Sequence, residues 1–111
     1  MAADIKTVTA IIQQYIADVE KVMPIDKVYL YGSYAKGIQR ENSDVDLCFF
    51  SRAFESRHSL DVLTELFYLK IKYDKDILIE PKAFPTSELY NDNPFVKEVL
   101  RKGWEIARLG H

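Results

Sequence analysis

The stretch GSYAKGIQRENSDVD, residues 32–46, constrains this chain more than any other. A short β-branched and aromatic run, Val28 to Tyr31, stops at Gly32-Ser33. Ten residues later Asp44 and Asp46 stand at the head of a second apolar run, Val45 to Phe50. Side chains alternate across a strand, so residues two apart project from one face. Two parallel carboxylates attract a divalent cation, and hard cations such as Mg²⁺ take oxygen ligands. A Gly-Ser turn that opens a helix offers backbone N–H groups to phosphate. Metal and phosphate together point to nucleotide chemistry.

The rest of the chain supplies the scaffold. Residues 4–22 carry Ile5, Val8, Ile12, Tyr15, Ile16, Val19 and Val22 at three- and four-residue steps, the stripe of an amphipathic helix. Met23-Pro24 ends it, because proline disfavours helix in the residue before it. Gly37 and the polar run Gln39 to Ser43 suit a short helix and a loop. Leu60, Leu63, Leu66, Phe67 and Ile71 mark a second long helix within residues 57–72. Asp76 to Glu80 reads as a third strand stopped by Pro81. Asn93-Pro94 is a helix start, with Asn as cap and Pro at the first helical position. Phe95, Val99, Leu100, Trp104 and Ile106 then form an apolar face running toward a stop at Gly110. The order α, β, short α, β, α, β, α predicts a small α/β or α+β fold, a short mixed sheet packed against helices. Its 111 residues suit one domain spanning 1–111.

Composition excludes several classes. With 48% apolar residues, seven Tyr, six Phe and one Trp, the chain can fill a core and does not read as disordered. A formal net charge of -2 makes the surface no general trap for nucleic acid. The single cysteine, Cys48, rules out an internal disulfide and a multi-cysteine zinc site. No apolar run reaches bilayer length and no signal peptide is visible. These features predict a soluble, cytoplasmic protein. Tyr68 to Lys75 interleaves two tyrosines with Lys70, Lys72 and Lys75, a pattern that either touches RNA or is a solvated helix end. His58 and His111 read as surface residues.

A two-metal transfer site needs a further carboxylate from another part of the fold. Asp76 and Glu80 share a face of the third strand, and Asp76 is favoured because it begins that strand as Asp44 and Asp46 begin theirs. The run Gly32-Ser33, Gly37 and Ser43-Asp44-Val45-Asp46-Leu47 resembles the signature of the minimal nucleotidyltransferases of the DNA polymerase β-like superfamily. Its spacing is similar to that of the MNT/KNTase-type antitoxins paired with HEPN toxins.

The resemblance implies a Mg²⁺-dependent nucleotidyltransferase, with two ions held by Asp44, Asp46 and Asp76 and with ATP as substrate. It implies that Gly32 and Ser33 hold the outer phosphates and that Asp76 accepts the acceptor's proton. Lys36 either approaches the triphosphate or is a solvated lysine; Ser43 either touches phosphate or orients the loop. The implied acceptor is a tyrosine hydroxyl of a HEPN ribonuclease toxin, which would receive AMP. A small molecule or RNA end reached with an accessory subunit, and a non-catalytic toxin-binding module, are the alternatives. The exposed side of the last helix or an edge strand is left for the HEPN partner or a second copy.

Overall fold

The structure, a computed structural model, describes residues 5–32 and 44–106. Ser33, Lys36, Gly37, Ser43 and the short helix expected near them lie outside the described residues. Three helices and four strands follow one another: α1 (Ile5–Glu20), β1 (Lys27–Tyr31), β2 (Val45–Ser51), α2 (Ser59–Lys70), β3 (Ile79–Pro85), α3 (Pro94–Lys102) and β4 (Trp104–Glu105). The strands form one mixed sheet in the order β3-β2-β1-β4. β1 runs antiparallel to β2 and β4, and β3 runs parallel to β2. This is the small α+β architecture that the order of elements predicts.

Alternation in β2 divides the interior in two. Val45, Leu47 and Phe49 enter the larger core with Val28, Leu30 and Ile79, beneath Val8, Ile12, Tyr15, Ile16 and Val19 of α1 and Val62 and Leu66 of α2. Cys48 and Phe50 enter a smaller core on the opposite face, with Val96 and Val99 of α3. Asp46 belongs to that second face, beside Tyr31. Tyr15 locks the larger core: its ring meets Phe49 edge-on at 5.8 Å, and its hydroxyl donates to Leu66 O at 2.8 Å.

Four sequence expectations shift. α1 ends at Glu20, and Val22 is exposed rather than part of the stripe. The third strand does not stop at Pro81 but starts at Ile79 and runs to Pro85. It is the edge strand, and Val45 N donates to Leu78 O at 2.7 Å, which puts Glu80, Lys82 and Phe84 in the phase that bonds β2. Pro81 and Pro85 therefore turn their missing donors to the open side, where no ladder needs them. In α2 the sheet-facing residues are Val62 and Leu66, continued by Tyr73, while Leu60, Phe67 and Ile71 face outward. Finally, α3 ends at Lys102 and Trp104 pairs with Leu30 as a strand. A Cβ on Gly103 would meet Val99 O and Leu30 O at 2.6 and 2.8 Å, so only glycine lets the chain turn this close to β1. The Asn93 cap stands as expected, its Oδ1 accepting from Phe95 N and Val96 N.

Candidate functional site

Asp46 sits at the second position of β2, flanked on both sides by sheet neighbours. Its partner in β1 is Tyr31 and its partner in β3 is Glu80. Asp44 lies two residues before it, exposed, just outside the strand. The Asp46 carboxyl is half-buried, and its pKa is raised first by that burial and then by the charges of Asp44 and Glu80, with Lys82 pulling it back. Three acids thus share one corner of the sheet.

Gly32 closes the corner. Its φ is +78°, a left-handed conformation that costs other residues roughly 1–2 kcal/mol. A Cβ there would also run into Asp46 Oδ2. Glycine ends β1 in this position because the backbone must turn directly against the carboxylate. The Gly-Ser turn and the acid pair, twelve positions apart in the sequence from Gly32 to Asp44, are neighbours in space.

Asp76 is not brought into this corner. It lies exposed in a turn, its N–H donating to Tyr73 O at 2.9 Å. The β2–β3 ladder begins with Val45 beside Ile79, so Asp76 falls three residues short of the first paired position. The expectation that it begins the third strand is corrected by that register, and Glu80 is the acid the ladder sets beside Asp46. Both acids were legible as candidates from alternation; only the register separates them.

Two neighbours escaped the sequence reading. Lys82, two residues beyond Glu80 on the same face, pairs in register with Cys48. The Tyr31 hydroxyl is buried and has no hydrogen-bond partner among the described residues, and its pKa is raised by burial, then by Asp46, Cys48 and Glu80. Cys48 itself, on the same face as the acids, is fully buried and its thiol is pushed up to about 12 by burial, which removes it as a nucleophile. His58 is more than a surface residue: its Nδ1 accepts from Leu60 N and caps α2. Among the lysines of the Tyr68–Lys75 stretch, Lys70 pairs with Asp74 and Lys72 with Asp18, which fits a helix end rather than an RNA surface.

The donor set suits a divalent cation. Asp44, Asp46 and Glu80 offer hard carboxylate oxygens, and their mutual repulsion is the charge a cation would offset. Among the described residues the acids are not closed into a metal-holding cluster of three.

Residues 12–107 match the family described as Polymerase beta, Nucleotidyltransferase. The chain belongs to this family. Two solved structures share the fold. One is a protein of Sulfolobus solfataricus assigned as a nucleotidyltransferase, with TM-score 0.60 and 14% identity, over 91% of this chain and 80% of that one. The other is a toxin-antitoxin with AMP-PNP, with TM-score 0.54 and 20% identity, over 88% of this chain and 74% of that one. Comparison with curated proteins found no match. Among the described residues no helix is long and apolar enough to cross a membrane.

Proposed function

We propose, taking membership of the nucleotidyltransferase family as the premise, that this protein transfers AMP from ATP to a hydroxyl on a protein partner, a tyrosine of a HEPN-domain toxin. The observation that carries the reading is the corner itself: Asp46 between Asp44 and Glu80, against the left-handed turn at Gly32. The fold shared with a toxin-antitoxin with AMP-PNP supports a toxin as partner and an adenine nucleotide as ligand.

In this reading Asp44, Asp46 and Glu80 hold the cations, with Glu80 replacing Asp76 as the third acid. Bound Mg²⁺ would neutralise phosphate charge and lower the pKa of the attacking hydroxyl. Gly32 and Ser33 receive the outer phosphates on their N–H groups, and Lys36 and Ser43 are kept as further phosphate contacts. The acceptor oxygen attacks the α-phosphorus; the α–β phosphoanhydride bond breaks, pyrophosphate leaves, and the hydroxyl proton passes to Glu80. The protein's share of the work is positioning and charge complementarity.

The test is incubation with α-labelled ATP, Mg²⁺ and the protein encoded by the neighbouring gene. Label on a tyrosine of the partner supports the proposal. A stable complex without label makes the protein a binding module, and label only on added RNA or an aminoglycoside-like molecule changes the acceptor class. Asp76→Asn is expected to keep transfer within about twofold of wild type, whereas Glu80→Gln loses about a hundredfold or more.

A further inference from the structure

Lys82 is a cation set among the acids of the sheet. It stands on the carboxylate face of β3, level with Cys48 and one alternation beyond Glu80. It is half-buried at the sheet's edge, where a hollow of about 310 Å³ wraps around β3 toward Leu63 and Phe67 of α2. Among the described residues it makes no ion pair. The other half-buried cations are each paired: Lys27 with Glu105, Arg57 with Glu65 and Lys70 with Asp74. Its charge reaches Asp46 and Cys48.

The site lies across the sheet, with the Gly32 turn on β1, Asp46 on β2, and Glu80 with Lys82 on β3. Tyr31, Asp46 and Glu80 make one row across the sheet at the Gly32 end, and Lys82 stands in the next row along the strands, beside Cys48. The acids attract cations and cannot themselves bind phosphate oxygens. Lys82 offers three donors and a compact positive charge, the character of a phosphate contact. We infer that Lys82 is the cationic contact for a phosphate group of the bound nucleotide, on the β3 side of the carboxylates. This rests on the nucleotidyl-transfer reading above, and it adds a residue that lies outside the motif at residues 32–46.

The experiment is calorimetric titration of the full chain with Mg²⁺ and α,β-methylene-ATP, whose reacting bond cannot break, at several salt concentrations. Lys82→Met is expected to bind about tenfold more weakly, with a shallower dependence on salt because one charge contact is gone. Lys82→Arg keeps the charge and stays within about threefold. Both variants should melt close to wild type, since no ion pair is removed, and Lys82→Gln serves as a second neutral variant. Neutral variants that bind within twofold of wild type, with unchanged salt dependence, overturn the assignment and leave the nucleotidyl-transfer reading standing. A wild-type chain that binds no Mg²⁺-nucleotide overturns both.

Discussion

Asp18 and Asp46 are both drawn out of solvent, and they are held in opposite ways. Asp18, on α1, is buried among donors: the Tyr73 hydroxyl, Lys72 Nζ at 2.9 Å and Gln14 Nε2 at 3.2 Å. Burial pushes its pKa up, but these donors outweigh burial and hold it below the ordinary 3.8. Asp46, on the other face of the sheet, has acids for neighbours, and its pKa is raised. An acid surrounded by donors ties α1 to the turn after α2. An acid surrounded by acids is stable only at a cost, and the neighbourhood makes sense once a cation joins it.

The comparison is broken most severely by exchanging the charges. Asp46→Asn is expected to lower nucleotidyl transfer by about a thousandfold or more, measured as label on the acceptor. Its metal-free melting temperature should stay level or rise, because a repelled charge has been removed. A collapsed fold in this variant would count against the site. Asp18→Asn should do the reverse, costing about 3 kcal/mol of stability at neutral pH by chemical denaturation, with nucleotide binding retained in the folded fraction.

The pH dependences of the two variants then have opposite signs. The stabilising contribution of Asp18 is present above 3.8 and is lost as pH falls through its lower folded value. The contribution of Asp46 is present below 3.8 and is lost as pH climbs through its higher folded value. Denaturation midpoints of wild type and each variant across the acid range test both slopes. The smallest expected effect is that of Gly32→Ala, which should destabilise by roughly 1–2 kcal/mol through its φ and displace the Asp46 carboxylate. Equilibrium denaturation checks the first part, and weakened Mn²⁺ binding the second.

Much of this arrangement was legible in the sequence. The Gly32 stop, the alternating Asp44 and Asp46, the stripe of α1 and the Asn93-Pro94 cap all follow from local chemistry. What escaped depends on partners far along the chain. Pro81 reads as a strand end until the strand is known to be at the edge, where a missing N–H costs nothing. Leu60, Phe67 and Ile71 share helical spacing with Leu66, yet they are exposed, and Val62 joins Leu66 on the buried side. Asp76 and Glu80 cannot be separated until Ile79 is seen beside Val45. For Asp18 only Gln14, four residues before it, is a local partner, while its donor Tyr73 lies 55 residues away.

The central claim is that Asp44, Asp46 and Glu80 form one cation site at the start of β2, on the face of the sheet that α3 packs against. Mn²⁺ titration followed by electron paramagnetic resonance tests it most directly, on wild type, Glu80→Gln and Asp76→Asn. The account predicts that Glu80→Gln weakens Mn²⁺ binding about tenfold or more while Asp76→Asn binds as wild type does. Binding that survives Glu80→Gln and disappears in Asp76→Asn would contradict it.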